Sequence, residues 1–186
     1  SVAEAKTLAD GVAIALPSRS VSAVFNGVFY VQEPTRVAGI RVESNEPVNV
    51  DQQVTVYGIL STYNGCERAL IDCKVLTGSA GPALRALGIT TRAAGGEGLG
   101  GFGADNVGLL VRTAGKVTVV LGDGFYLDDG CKLDDGSGCV GLKIWTGAAG
   151  SAVAGTTVKV TGVVSTRPGT GGKVHPQILA REVLPM

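Results

Sequence analysis

Apolar and polar positions alternate with a period of two along most of this chain, and β-branched residues fill many of the apolar ones. Val28-Phe29-Tyr30-Val31-Gln32 and Gly39-Ile40-Arg41-Val42-Glu43 read as short strands, and Ala69 to Leu76 as another. Residues 12–25 form a long strand region interrupted at Pro17-Ser18-Arg19-Ser20, and Asn26-Gly27 is a strong hairpin signal. Turns are expected at Glu33-Pro34-Thr35, Asn45-Glu46-Pro47 and Tyr63-Asn64-Gly65.

One strand pattern occurs twice. Residues 53–62 read Gln-Val-Thr-Val-Tyr-Gly-Ile-Leu-Ser-Thr, and residues 157–166 read Thr-Val-Lys-Val-Thr-Gly-Val-Val-Ser-Thr. Val54/Val158, Val56/Val160, Gly58/Gly162, Ser61/Ser165 and Thr62/Thr166 are identical. A glycine at the same point of each predicts a bend, a bulge or a close backbone approach. Aligning outward matches residues 12–25 with a region 96 residues later, and Val28-Phe29-Tyr30-Val31 with Gly124-Phe125-Tyr126-Leu127. Gly39-Ile40-Arg41-Val42 matches Gly141-Leu142-Lys143-Ile144 after a six-residue insertion that contains Asp134-Asp135-Gly136-Ser137-Gly138. The chain is therefore read as a duplicated all-β protein. Residues 1–10 form an arm or edge strand, 11–76 the first barrel, 77–106 a connector and 107–186 the second barrel.

Five strands per copy, a long first strand and a glycine in the fourth fit a small Greek-key barrel of the OB type. The marks Asp10-Gly11, Phe29-Tyr30-Val31, Gly39-Ile40-Arg41-Val42, Val-x-Val-x-Gly and Asp128-Asp129-Gly130 resemble the tandem OB-fold modules of secreted and surface-layer bacterial proteins. No stretch between the third and fourth strands suits a helix: residues 44–52 and 146–152 are short and rich in turn formers. In the connector, Pro82-Ala83-Leu84-Arg85-Ala86-Leu87-Gly88 predicts a short helix with Pro near its start and Gly past its end. The glycine-rich loop that follows has Leu99 and Phe102 as candidate anchors to a barrel.

Charge narrows the functional classes. Sixteen basic residues balance sixteen acidic ones in 186 residues, and neither half is a basic domain. This argues against a nucleic-acid or anionic-membrane binder. No run approaches the ~20 apolar residues of a membrane helix. The chain begins at Ser1, without Met, so the expectation is either a chain cut at this point or a removed leader. Cys66 with Cys73, and Cys131 with Cys139, lie close in sequence. Each pair is expected to close a hairpin loop as a disulfide, worth about 2–3 kcal/mol, in a secreted or cell-surface setting. Four reduced, buried thiols are the other reading.

Candidate chemistry is sparse. Gly96 to Gly101 matches G-x-G-x-x-G but lacks the preceding strand and following helix that a dinucleotide site needs. With Asp123 beside them, Asp128, Asp129, Asp134 and Asp135 are candidate Ca²⁺ ligands on a loop, without EF-hand spacing; a solvated Asp-Gly turn is the preferred reading. His175 is the only histidine, and no nucleophile motif accompanies it. Neither catalysis nor a cofactor is expected. Tyr30 and Arg41, Tyr126 and Lys143, and Trp145 are the candidate ligand face, for a glycan first and single-stranded nucleic acid second. Ser151, Thr166 and Thr170 read as loop hydroxyls open to O-linked glycans.

The leading functional expectation is an extracellular structural or assembly protein. Val2, Ala3, Ala5 and Leu8 in the N-terminal arm would add a strand to the next subunit, giving a homo-oligomer or head-to-tail polymer. In this the chain resembles extracellular fibre subunits that join by strand donation.

Overall fold

The computed structural model describes residues 1–148, 152–169 and 172–186. The fold is all-β and divides into two units. The first comprises Ser1–Arg85 and Gly108–Leu110, the second Ala86–Val107 and Val111–Met186.

The first unit carries a short helix, α1 (Val2–Ala5), and five strands: β1 (Ala13–Phe25), β2 (Val28–Gln32), β3 (Gly39–Glu43), β4 (Gln52–Tyr63) and β5 (Glu67–Ala80). They close into a barrel in the order β1-β2-β3-β5-β4, which places β4 beside β1 as a Greek key does. The β3–β5 pairing is parallel, through Arg41↔Ala69 and Val42↔Leu70, and the others are antiparallel. Alternation sends Phe29 and Val31, Ile40 and Val42, and Val54, Val56 and Leu60 into one core.

Strand β1 serves two neighbours, β4 through Ala13–Ser20 and β2 through Ser20–Phe25. The Pro17–Ser20 interruption read from the sequence is a bulge within one continuous strand: register shifts between Leu16 and Arg19, and Ser18 has φ 53°. A second shift falls between Val21 and Ala23. Its counterpart in the second unit falls between Val117 and Val119, again 96 residues on. The duplication thus extends to the placement of a bulge.

The second unit holds β6 (Leu87–Gly88), β7 (Leu110–Leu121, its first residue in the first unit), β8 (Gly124–Asp128), β9 (Leu142–Trp145), β10 (Thr157–Pro168) and β11 (Val174–Pro185). The order is β10-β11-β9-β8-β7-β6, with an additional β10–β7 pairing. The long strands therefore follow the same cyclic order as in the first unit, and β9–β11 is parallel as β3–β5 is.

Of the features expected at the repeated glycine, the bulge and the close approach are both present. The β4–β5 register shifts between Tyr57 and Ile59, and the β10–β11 register between Thr161 and Gly162. A Cβ on Gly58 would lie 2.9 Å from Cys73 Sγ and 3.1 Å from the Ile71 carbonyl oxygen. One on Gly162 would lie 2.7 Å from Ile178 Cγ2 and 2.9 Å from Ala180 Cα.

Two segments differ from the sequence reading. The N-terminal arm is a helix rather than an extended strand. Ser1 is its N-cap, in a capping box with Glu4, and the Val2 amide donates to Glu33 Oε1 at 2.7 Å. Val2 and Ala5 are buried in the barrel core, Ala3 packs against it and Leu8 is exposed, so three of the four apolar side chains of the expected donor arm are already used. The connector helix predicted over Pro82–Gly88 does not form. Asp51 draws its amides to the barrel instead: the Gly81 amide donates to the Asp51 carbonyl at 2.8 Å, and the Leu84 amide to its carboxylate at 2.9 Å. Leu87–Gly88 then pairs in parallel with Val111–Arg112. The glycine-rich loop is held by buried Ala94 and by Leu99 lying against Gly95, whereas Phe102 is exposed beneath the Arg92 guanidinium.

Gly162→Ala is expected to destabilise the protein by about 1–3 kcal/mol, as overpacking against a fixed backbone does. Gly58→Ala should cost less because the Cys73 side chain can shift, and Gly98→Ala, which meets open space, should be near neutral. Thermal unfolding of the three variants checks the ranking.

Candidate functional site

Each unit places a tyrosine on the outer face of its second strand, opposite a cation on its third: Tyr30↔Arg41 and Tyr126↔Lys143. The sequence predicts an open aromatic surface here. The structure covers it. Tyr30 is fully buried, Tyr126 is 3% exposed and Lys143 6%, so neither tyrosine ring offers a stacking platform.

The covers differ. In the first unit Glu67, at the start of β5, accepts a 2.7 Å hydrogen bond from the Tyr30 hydroxyl. Arg41 donates to that hydroxyl at 3.2 Å and to Glu43 at 3.1 Å, and its guanidinium lies 3.9 Å from the Tyr63 ring centre. Burial alone would lower the Arg41 pKa, but Tyr30, Glu67 and Glu43 outweigh it and hold the group above its ordinary value. In the second unit the acidic insertion is the cover. Asp135 accepts from the Tyr126 hydroxyl at 2.9 Å and from Arg167 on β10, and Ser137 donates to the same hydroxyl at 3.1 Å. Lys143 turns instead to Asp123, at 2.5 Å. Trp145 is half-buried, with the Gly147 backbone against its ring.

This geometry resolves the acidic loop. Asp128 accepts amide hydrogen bonds from Gly130 and Lys132, Asp129 from Thr91 and Cys131, Asp134 from Gly136, and Asp135 from Ser137. Among the described residues, no three His, Cys, Asp or Glu side chains converge as a metal site. The expected Ca²⁺ ligand set is thus four carboxylates engaged singly by backbone and side-chain donors. Burial pushes the Asp129 carboxyl up, but the bonds from Thr91 and Cys131 exceed that and hold it below the usual range. Asp135 follows the same balance: burial raises it, and Ser137, Tyr126 and the charge of Arg167 bring it below.

None of the four cysteines is in a disulfide. The expected Cys66–Cys73 bridge fails on geometry. Cys66 immediately precedes β5 and Cys73 lies within it, so about 20 Å of extended strand separates them, against an upper Cα separation of ~7 Å for a disulfide. For Cys131 and Cys139, the Asp134↔Val140 bridge centres its hairpin on Ser137 and sets Cys139 opposite Asp135. The oxidising compartment inferred from those bridges loses that support. Burial, with Asp72 and Glu43 nearby, pushes the Cys73 thiol up to about 11. The Cys131 thiol is raised by its hydrogen bond to Asp129.

The remaining candidates are placed simply. His175 is half-buried on β11, paired with Arg167. Within the G-x-G-x-x-G stretch, Glu97–Leu99 forms a single 3-10 turn and no longer helix. Thr166 is buried on β10 rather than on a loop, and Ser151 and Thr170 lie outside the described residues.

One group escaped the sequence reading. Tyr57, inside the repeated strand, is 45% exposed and lines a 490 Å³ groove with Gly58, Asp72 and Lys74. The available signal was its mismatch: the register pair Tyr57↔Lys74 corresponds to Thr161↔Glu182 in the second unit. Comparison of the chain with protein-family models, curated proteins and solved structures gives no match.

Two outcomes are expected. Iodoacetamide at pH 8 should modify exposed Cys66 well before Cys73, with the native intact mass that of four thiols, as mass spectrometry will read. Because the Asp135 carboxyl is held below its unfolded value, its contribution to stability is present above the ordinary Asp range, ~3.9, and is lost as pH falls through the lower folded value. Urea unfolding of Asp135→Asn between pH 5 and 2 should therefore show a shallower pH dependence than the wild type.

Proposed function

We propose that this chain is a non-catalytic structural module of two OB-type barrels that associates with further copies of itself through the edge of β5. A secreted or cell-surface setting belongs to the same proposal and rests on the resemblance to such modules.

The observation that carries it is an asymmetry between the copies. β3 pairs with β5 only at Ala69 and Leu70, and beyond Leu70 the described pairings of β5 are all with β4. The other edge, through Val75-Leu76-Thr77-Gly78-Ser79-Ala80, carries no charge and no proline, and Leu76 is 49% exposed. In the register that aligns Tyr57↔Lys74 with Thr161↔Glu182, the corresponding stretch of β11 is Val183-Leu184-Pro185-Met186, which carries a proline. Charges and proline are the usual means of blocking strand addition. One copy is thus guarded and the other open, and an open edge accepts a strand from a second chain. The N-terminal segment is a poor donor, since withdrawing it would take Val2 and Ala5 out of the core.

The non-catalytic reading is supported by the engagement of the acidic-loop carboxylates in local hydrogen bonds and by a lone histidine without a nucleophile motif.

Sedimentation velocity over a concentration series tests the association. The wild type should sediment faster as concentration rises. Leu76→Lys should remain monomeric, and Leu184→Lys, on the already guarded β11, should behave as wild type. A plateau at dimer mass identifies a two-fold β5 contact and unlimited growth a head-to-tail one. A wild type that stays monomeric at the highest concentrations overturns the proposal.

A further inference from the structure

We infer that the groove across β1, β4 and β5 of the first unit binds a neutral saccharide. This inference is independent of self-association. It rests on a set of side chains that the fold presents together and leaves unused.

Register builds the site. Ala15, Tyr57 and Lys74 are consecutive partners across the three strands. The Tyr57 ring therefore has a methyl group on one side and an ammonium on the other. Ala13 and Ala15 are exposed and small, and Gly58 has no side chain, so the flank of the ring stays open over a 490 Å³ groove. Asp72 lines the same groove, its φ of 50° set by the bulge at which the β4–β5 register shifts. Among the described residues, the Tyr57 hydroxyl, the Asp72 carboxylate and the Lys74 ammonium have no hydrogen-bond or ion-pair partner. The Tyr30, Glu67 and Arg41 side chains, by contrast, are locked to one another.

The chemistry selects the ligand class. An aromatic ring with an open flank takes the apolar C–H face of a pyranose, a carboxylate accepts from its hydroxyls, and an ammonium donates to them. An apolar floor with a few polar groups at its margin is the usual composition of such a pocket. One positive and one negative charge leave the groove neutral, which disfavours a polyanion such as single-stranded DNA. The second unit lacks the set, having buried Thr161 and acidic Glu182 in place of Tyr57 and Lys74, so one site per chain is expected.

Isothermal titration of the intact chain with cellohexaose, xylohexaose, maltohexaose and chitohexaose, and with a dT20 oligonucleotide, tests this. At least one oligosaccharide should bind with a stoichiometry of one, and ligand-observed NMR should show saturation transfer to its ring C–H protons. Tyr57→Ala should weaken binding about tenfold or more, Tyr57→Phe should retain most of it, and Asp72→Asn should weaken it several-fold. Phe102→Ala, an exposed ring elsewhere, should leave it unchanged. Circular dichroism establishes that each variant is folded. The inference is overturned if none of the four sugars binds, if Tyr57→Ala binds as wild type, or if dT20 is the ligand that binds.

Discussion

The fourth strand of each barrel must pass its neighbour at a point where no side chain fits. Gly58 and Gly162 occupy that point. Five strands close only if they coil strongly and shift register, and a bulge supplies both. Residues 54, 56 and 60 point inward around Gly58, so a larger residue there would have to enter the space held by Leu70 and Cys73. The paired bulges at Val21/Ala23 and Val117/Val119 supply the matching curvature in the long first strand of each copy. With those kinks fixed, the alternation of the other strands falls into place, and one run of apolar positions per strand becomes a common core.

Closure leaves a second problem, outside the barrel. The second strand of each copy carries a tyrosine outward, and a buried phenol needs a partner. The first copy supplies Glu67 from the start of β5 and Arg41 from β3. The second supplies Asp135 and Ser137 from the insertion and Arg167 from β10. The acidic insertion is thus a cover for Tyr126, through Asp135 and Ser137. The cation aligned with Arg41, Lys143, has been freed to pair with Asp123. Equivalent roles have passed to non-equivalent positions, and a position-by-position transfer from one copy to the other assigns them wrongly.

What could be read from the chain follows this division. Strands, hairpins and the bulge glycine are local in period and composition, and the pattern shows them. The N-terminal helix was also legible, through the S-x-x-E spacing of Ser1 and Glu4, but the absence of an apolar period hid it. The connector helix failed for a reason no local signal carries: Asp51, over thirty residues earlier, takes the Gly81 and Leu84 amides. The disulfide expectation failed because sequence proximity was taken for spatial proximity, whereas a strand carries residues apart at ~3.3 Å each. The ligand face failed because burial of Tyr30 and Tyr126 depends on covers from distant segments.

The repeated strand invites the conclusion that shared residues are scaffold and function lies in unmatched segments. Position by position, the strand is less uniform. Its inward residues, Val54, Val56 and Leu60 in one copy and Val158, Val160 and Val164 in the other, answer to the core and cannot drift far. Its outward residues answer only to what covers them. In the second unit Thr161 is buried and bonded to Arg112, while in the first Tyr57 stands open beside Lys74 and Asp72. The fifth strand divides the same way, with a guarded edge in β11 and an unguarded one in β5. Both differences fall on one strand pair of one copy. Their concentration on β4 and β5 of the first unit marks the stretch that folding of the barrel constrains least, and it is there that the proposed contacts are placed.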